Sequence, residues 1–465
     1  MPSGLEPFSP SPQDPWDVVK AGHLLRRAGF GPLPSEIARV VKAGPERAVE
    51  GLFEFPSDPP PPPSFDEIAT AEVRVDGMVR EFARTRTKPR DNPELRAAYE
   101  EANRAHGRGI AALTAWWLAR MAEAPAPLQE KLTLFWHGHF TTSFGDVHDT
   151  VAIYNQNQLF RRHAAGTFAR LLDGVARDSA MLRYLNNDAN QKGHPNENWA
   201  RELMELFTLG IGHYTETDVR ESARAWTGWT LRDYRTFEGR RTFEFKPQLH
   251  DGATKTFQEQ VGILDGTDIM RIILAHPATP RWIAGKLAKF FVSPTPAPDL
   301  VEAMAQHLVA SGYEIAPVLR SLFHSKAFYG PDVVHAAIKS PVEFVVGAVR
   351  HLGVADPDWP RLALLTATAG QRLFFPPTVK GWDGGKAWIN AATVFTRANL
   401  AGALLSGSFG APDLAPLASL DAMVAQLLQR RLPPARRELL TQAITGTGRA
   451  AAIHLIMSLP EYQVG

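Results

Sequence analysis

The sequence predicts a mainly α fold, a large multi-helix bundle-like domain with a small β-hairpin insertion. Apolar residues recur at helical spacing along most of the 465 residues, whereas strand-type residues gather only between Trp229 and Phe257. An apolar fraction of 44% and a charged fraction of 21% are ordinary for a globular chain that buries a large core. No run reaches the ~18 apolar residues that a membrane-spanning helix needs, so we expect no membrane span.

Four regions follow from these patterns in chain order. Residues 1–55 predict an N-terminal helical element, and residues 56–108 predict a Pro-rich and charged linker, because five consecutive prolines (59–63) cannot lie in a helix. Residues 109–265 predict a helical core whose β-hairpin turns at Glu238 and Gly239. Residues 266–465 predict a C-terminal helical region packed on that core.

Composition and missing motifs exclude several classes of protein. With 0 cysteines the chain has no disulfide, thiolate zinc site or cysteine nucleophile. A net charge of +1 argues against a nucleic-acid partner. Because GxxxxGK[ST], GxGxxG, GxSxG and HExxH are all absent, no nucleotide cofactor is predicted. Residues 1–15 lack a basic start followed by an apolar stretch, which predicts no signal peptide and a cytoplasmic location.

Two histidines in residues 135–140 (FWHGHF) are candidate metal ligands. In an extended segment, side chains two residues apart such as His137 and His139 project to the same side. Gly138 permits a tight backbone between them, and histidine is the commonest metal ligand near neutral pH. The alternative is that both are partly buried at a helix end and hydrogen-bond to backbone carbonyls.

A helix predicted over residues 196–209 gathers polar side chains on one face of its 196–206 segment, namely Glu197, Asn198, Arg201, Glu202 and Glu205. Glu202 and Glu205 are neighbours at i and i+3. Paired carboxylates bind a hard metal ion or divide into a general acid and a general base. The same pattern is typical of an ordinary amphipathic helix with a Glu197–Arg201 ion pair.

A third group lies in one short loop, where His250, Asp251 and Lys255 follow a strand-like run. Such a loop can supply a metal ligand, an orienting carboxylate and an anion-binding cation. The alternative is an exposed turn in which Asp251 and Gly252 perform only turn chemistry.

Ten segments in a fixed order carry a family resemblance: 23–31 (HLLRRAGFG), 135–140 (FWHGHF), 157–163 (NQLFRRH), 196–203 (NENWAREL), 214–216 with 218–220 (YTE, DVR), 227–229 (TGW), 250–251 with 255–256 (HD, KT), 276–279 (HPAT), 339 with 341–344 (K, PVEF), and 376–377 with 381–382 (PP, GW). On these segments the chain resembles, over nearly its whole length, the bacterial family catalogued as domain of unknown function 1800. The resemblance brings no established activity.

The resemblance implies that the polar motif positions are site-like, namely His137, His139, His163, Glu197, Arg201, Glu202, Glu205, His250, Asp251 and Lys255. It also implies a partner, a sulfatase-like protein encoded nearby. Many family members look exported, which leaves the compartment open.

The first functional hypothesis is a metal-dependent enzyme, with hydrolysis as the simplest chemistry and a redox metal fitting the ligands equally well. The metal, Zn, Mn or Fe, would be held by ligands drawn from His137, His139, His250, Asp251 and Glu197. Glu202 or Glu205 would act as general base on a metal-bound water. Arg201 and Lys255 would bind an anionic substrate group.

The second hypothesis is a non-catalytic helical module that binds a partner protein or a glycan. Its recognition surface would be aromatic, built from Trp116, Trp117, Trp382 and Trp388. A third hypothesis, phosphoryl transfer, needs Lys255 or Lys286 to face a pair of carboxylates.

Overall fold

The computed structural model describes residues 4–56, 61–85 and 92–465. These residues form 24 α-helices and four short strands, which confirms the mainly α fold class. In the same described residues, no helix combines the length and the apolar character needed to cross a membrane.

The helices follow one another closely along the chain. The first thirteen are α1 (Val18–Arg27), α2 (Pro34–Ala43), α3 (Pro45–Gly51), α4 (Asp66–Thr85), α5 (Pro93–Glu123), α6 (Pro127–His139), α7 (Phe144–Val147), α8 (Thr150–Arg162), α9 (Phe168–Ala176), α10 (Ser179–Tyr184), α11 (Asn198–Glu202), α12 (Glu216–Ala225) and α13 (Phe237–Arg241). A π-helix, Leu203–Thr208, continues directly from α11.

The remaining helices build the second half of the chain. They are α14 (Gly266–Ala275), α15 (Ala278–Phe291), α16 (Pro298–Ala310), α17 (Ile315–Phe323), α18 (Pro341–His351), α19 (Trp359–Thr368), α20 (Ala391–Leu405), α21 (Leu420–Leu427), α22 (Pro434–Thr447), α23 (Arg449–Ser458) and α24 (Pro460–Gln463). Short 3₁₀ turns lie at Asn187–Ala189, Pro247–Leu249, Gly385–Trp388 and Ala415–Leu417.

Local sequence sets where many of these helices begin. Pro127 and Pro341 occupy the first turns of α6 and α18, where a missing backbone N–H leaves no hydrogen bond unmade. At α18, the Ser340 side chain accepts from the backbone N–H of Glu343, and the Glu343 carboxylate accepts from the backbone N–H of Ser340. This capping box fixes Glu343 at the start of the helix.

The β structure consists of two small antiparallel sheets. Strands β1 (Trp229–Leu231) and β2 (Phe243–Phe245) pair with each other, and β3 (Lys255–Phe257) pairs with β4 (Gln260–Gly262). The predicted turn at Glu238 and Gly239 is wrong in detail, because these residues lie in α13, whose first turn is capped by Thr236.

The region predicted as a linker contains long helices in its described part. Helix α4 and the first half of α5 pack against each other between residues 66 and 108. Their contact uses small and aliphatic side chains, including Ile68, Val75, Ala98 and Ala102. Residues 57–60 and 86–91, which include the first two prolines of the predicted spacer, lie outside the described residues.

The core is built around α6, whose side chains are almost all buried. Glu130 on this helix is fully buried and accepts hydrogen bonds from the Trp117 indole (2.9 Å), Arg120 (2.8 Å) and Arg161 (2.8 Å). Burial raises the pKa of Glu130, but Arg161, Arg120 and the Trp117 hydrogen bond together lower it by more, so the net pKa lies below its usual value. This charged cluster ties α5, α6 and α8 together.

Candidate functional site

A cleft of about 380 Å³ opens beside the C-terminal half of α6. Its walls come from the end of α1, from α6, the π-helix, α15, the start of α18 and the loop between α19 and α20. The aromatic side chains at its surface include Phe135, Phe290, Trp382 and Trp388. Elements distant in sequence therefore meet at one concave surface, as is typical of ligand sites.

Lysines give this cleft a positive charge. Lys286 and Lys289 project from α15, and Lys380 and Lys386 project from the α19–α20 loop. Lys380 lies 3.5 Å from Asp383, which is also at the cleft. Burial, reinforced by the neighbouring Lys289, lowers the pKa of Lys286, whose ammonium group lies 4.7 Å from the ring centroid of Trp282.

The α19–α20 loop is held against α6 by a close backbone contact. Gly381 has φ +84°, and a Cβ there would lie 2.7 Å from the carbonyl oxygen of Gly138. Thr141, just beyond α6, donates its hydroxyl hydrogen bond to the carbonyl of Val379. The loop that carries Trp382 is thus fastened to the end of α6.

His137 on α6 contacts two residues of the α19–α20 loop, Phe374 and Trp382. Its Nε2 accepts a hydrogen bond from the backbone N–H of Phe374 (3.2 Å), so its Nδ1 carries the proton when the ring is neutral. Its ring centroid lies 5.6 Å from that of Trp382. Burial lowers the pKa of His137 to about 3, which keeps the ring neutral near pH 7.

His139 connects α6 to the π-helix. Because a carbonyl oxygen only accepts, the 3.0 Å contact between Nε2 and the carbonyl of Phe207 places the ring proton on Nε2. Nδ1 is then an acceptor, and it is buried without a protein partner. Burial lowers the pKa of His139 to about 3. The residue is one of those that line the cleft.

The expectation that His137 and His139 lie in an extended segment is wrong, since both belong to α6. On a helix, residues at i and i+2 do not face each other. The two rings accordingly contact different partners, Phe374 and Phe207. The alternative interpretation, a hydrogen bond to a backbone carbonyl at a helix end, describes His139, whereas His137 accepts from a backbone N–H.

The polar face predicted over residues 196–206 forms ion pairs and hydrogen bonds at the surface. Arg201 donates to Glu197 (3.1 Å) and makes two hydrogen bonds to Glu216 (2.8 and 2.9 Å). Glu205 accepts from the Tyr214 hydroxyl at 2.7 Å. Burial, together with Glu205, raises the pKa of Glu202.

The loop residues His250, Asp251 and Lys255 bind mainly to their own surroundings. His250 Nδ1 donates to the carbonyl of Thr227 (2.9 Å), and Asp251 accepts from Arg224 Nε (2.7 Å). The buried Lys255 ammonium donates to the carbonyls of Asp251 (2.5 Å) and Ala253 (3.2 Å). Its hydrogen bonds to carbonyl oxygens tighten the loop.

Three side chains missed by the sequence analysis form a buried acidic group. Glu72, His106 and Asp149 place one ligand atom each within 4.8 Å of one another, and no predicted ligand in the described residues belongs to such a group. The group has the residue types of a metal site, and its members lie on α4, on α5 and at the N-cap of α8. No spacing signature connects positions 72, 106 and 149.

Arg241 forms ion pairs with both carboxylates of this group, and Arg183 lies 3.5 Å from Asp149. The Nε of Arg241 lies 2.9 Å from the Asp149 carboxylate, and its Nη1 lies 2.9 Å from Glu72. His106 Nδ1 accepts the backbone N–H of Thr150 (3.1 Å), so Nε2 carries a proton and lies 3.1 Å from Glu72. A metal would need the lone pair of that nitrogen, so its binding requires this network to rearrange.

A comparison with known families places the chain among proteins that share its sequence pattern. The family described as "Protein of unknown function (DUF1800)" matches residues 23–464. The chain belongs to the DUF1800 family. No curated protein and no solved structure matches it.

Four of the segments that carry the DUF1800 resemblance meet at the cleft. They supply Arg27 from residues 23–31, His139 from 135–140, Glu343 from 341–344, and Trp382 from 381–382. The DUF1800 segment 157–163 instead contributes Arg161 to the buried Glu130 cluster. These placements make the cleft the strongest candidate site of this DUF1800 protein.

Proposed function

We propose that this protein binds an anionic carbohydrate in the cleft beside Trp382. One observation carries the proposal. Lys286, Lys289 and Lys386 line the same cleft as Trp382 and Trp388, and none of these lysines forms an ion pair with a carboxylate in the described part of the chain. Cations without a protein counter-charge attract an anionic ligand.

The remaining lining fits the ring and the hydroxyl groups of a sugar. Indole faces pack against the C–H faces of a sugar ring, and an indole N–H donates to its oxygens. The cleft volume of about 380 Å³ lies within the range of small-ligand sites, roughly 300–1,000 Å³.

A sulfated sugar is the form of this ligand that we propose first. The family resemblance implies a sulfatase-like partner encoded nearby, and sulfate esters are the substrates of sulfatases. The same lysines attract a carboxylated sugar, so the experiment includes both.

Binding is tested by tryptophan fluorescence and by calorimetry with a sulfated disaccharide, a carboxylated disaccharide and the uncharged parent sugar. We expect one charged sugar to bind and Lys286→Met with Lys386→Met to weaken it at least tenfold, which corresponds to about 1.4 kcal/mol. Lys192→Met is the control, since Lys192 is exposed and does not line the cleft. Failure of every charged sugar to bind, or equal affinity in the double variant, contradicts the proposal.

A second candidate function, a metal-dependent enzyme of the hydrolase or redox kind, rests on the Glu72–His106–Asp149 group. Zn, Mn or Fe suits its mixed nitrogen and oxygen ligands. Elemental analysis of protein purified without an affinity tag tests it. Stoichiometric metal that is lost in Glu72→Gln with Asp149→Asn supports the enzyme, whereas protein that takes up no Zn, Mn or Fe excludes this site.

A further inference from the structure

A second, smaller cavity of about 20 Å³ lies where the end of α1 meets the start of α18. We call it the Arg26 cavity, and its wall includes Arg26, Arg27, Lys339, Glu343 and His351 together with the turn at residues 29–31. That volume is close to the roughly 10–15 Å³ needed for one water-sized body. It admits a monatomic ion and is too small for a sulfate, a phosphate or a sugar.

The wall of this cavity carries more positive than negative charge. Its one acidic side chain in the described residues, Glu343, is paired with Lys131 and also interacts electrostatically with Arg27. Arg26, Arg27 and Lys339 remain, and all three are buried or half-buried. Burying cations without a counter-ion is unfavourable by several kcal/mol per charge.

The hydrogen bonds of these three cations go to neutral acceptors. Arg26 donates to Gln429 and lies 3.3 Å from His335 Nε2. Arg27 donates to the backbone carbonyl of Phe291 (2.9 Å), and Lys339 donates to that of Tyr462 (2.7 Å). None of these contacts compensates a formal charge.

A buried hydrogen-bond donor without a partner also indicates a missing ligand in this cavity. Arg26 Nε is buried and has no protein partner. A buried donor of this kind is rare because the missing bond carries a desolvation penalty. Burial, with the positive charge of Arg27, also lowers the pKa of Arg26 to about 9, and burial beside Arg26 lowers that of Lys339 to about 7.

The backbone around the Arg26 cavity is closely packed, so the volume of the cavity is fixed. Gly31 has φ +77°, and a Cβ on it would lie 2.8 Å from Cα of Gly347 on α18. The same Cβ would lie 3.1 Å from His351 Nε2. The turn at residues 29–31 is therefore already in contact with α18 and cannot move closer to that helix without displacing it.

We propose that the Arg26 cavity binds one halide ion, chloride under physiological conditions, between Arg26, Arg27 and Lys339. A halide supplies the missing negative charge and accepts N–H donors from any direction. The inference goes beyond the proposed sugar site, although Arg27 and Glu343 line both cavities. Its consequence is a stability that depends on chloride.

Thermal unfolding in sodium chloride and in sodium gluconate, each at ~0.15 M ionic strength, tests the proposal. We expect chloride or bromide to raise Tm by roughly 2 °C relative to gluconate, because a ligand that binds only the folded state stabilises it. Lys339→Met removes this difference. Lys386→Met, which alters only the larger cleft, keeps it and weakens sugar binding, so the two proposals fail independently.

Crystals of the wild-type protein grown in ~0.15 M bromide provide the structural readout, whether or not Lys339→Met folds. An anomalous bromide peak within hydrogen-bond distance of Arg26 Nε supports the proposal. Equal Tm in chloride and gluconate, or a bromide peak only at molar concentration, overturns it. In that case Lys339 is instead neutral in the folded protein.

Discussion

The imidazole of His139 on α6 donates its Nε2–H to the carbonyl oxygen of Phe207, 3.0 Å away in the π-helix. This bond joins two residues that are 68 positions apart in the sequence. The neighbouring carbonyl of Leu206 accepts from the Trp282 indole at 2.9 Å. A π-helix turns its carbonyls out of the normal helical pattern, and here two of them bind side chains from α6 and α15.

Replacing His139 with phenylalanine tests this junction. His139→Phe leaves the buried carbonyl of Phe207 without its donor, so we expect a loss of about 1–3 kcal/mol in the free energy of unfolding. Urea denaturation measures it. His213→Phe is the matched control, because His213 is exposed and its change should stay within about 0.5 kcal/mol. Equal losses in the two variants would show that the bond adds nothing.

The pH dependence of the free energy of unfolding should reveal the titration of Asp178, the N-cap of α10. Burial raises its pKa to about 7, opposed by hydrogen bonds from Met181 and Gln156 and by the charge of Arg183. The folded state holds this proton at pH values where the unfolded state has released it. Stability from this group is therefore present below pH ~4 and falls as pH rises to about 7, by roughly 1.4 kcal/mol per unit of pKa difference.

Asp178→Asn isolates that contribution, since the amide keeps an acceptor for Met181 and does not titrate. We expect the variant to gain stability relative to wild type as pH rises from 4 to about 7. Urea midpoints at several pH values measure the difference. A constant difference across this window would refute the raised pKa.

Alanine variants of two loop glycines distinguish the effect of backbone strain on stability from the effect of a steric clash. Gly381 and Gly385 both have positive φ, +84° and +55°. A Cβ at Gly381 meets the carbonyl of Gly138 at 2.7 Å, whereas a Cβ at Gly385 meets nothing within 4 Å. Each alanine variant incurs about 1–2 kcal/mol of left-handed strain. We expect Gly381→Ala to lose at least about 1 kcal/mol more, measured by chemical denaturation, and a smaller loss than in Gly385→Ala would contradict the packing described.

Replacing Arg241 tests how far its positive charge stabilises the buried Glu72–His106–Asp149 group. Arg241→Met removes the closest counter-charge of the buried Glu72 and Asp149 and leaves Arg183 3.5 Å from Asp149, so we expect a loss of about 3–5 kcal/mol in unfolding free energy. Arg235→Met removes an exposed ion pair with Asp233 and should change stability by less than about 1 kcal/mol. Adding Zn²⁺ should stabilise Arg241→Met and leave wild type unchanged. Stabilisation of wild type by Zn²⁺ would instead favour the metal-dependent enzyme.

The helical fold was predictable because large apolar residues recur at helical spacing. The α4–α5 pair was missed because much of its contact surface is alanine, as at Ala98, Ala102 and Ala105, among charged residues. Such a face has little hydrophobic contrast with its surroundings. The segment of His137 and His139 was misread as extended because α6 is buried on nearly every side, so no polar face reveals its helical period.

The candidate site was only partly visible in the sequence. His139 and Trp382 stood out from their motifs, whereas Lys286, Lys289 and Lys386 are ordinary lysines until α15 and the α19–α20 loop meet. Whether a lysine has a carboxylate beside it depends on which elements meet in the folded protein, and the local sequence does not show this. The roles of Glu197, Arg201, Glu202, Glu205, His250, Asp251 and Lys255 in catalysis or metal binding stay predictions.

Helix α4 joins the rest of the molecule through a small core of its own and through the contacts of Glu72 and Asp76 with Arg241 and Phe237. The buried apolar side chains of this 20-residue helix thus belong to a cluster separate from the large core that contains α6. Regions with a small separate core can open as cooperative units of their own before global unfolding. The amide protons of α4 would then exchange with solvent together, ahead of those of α6, and a protease would find its first cut there.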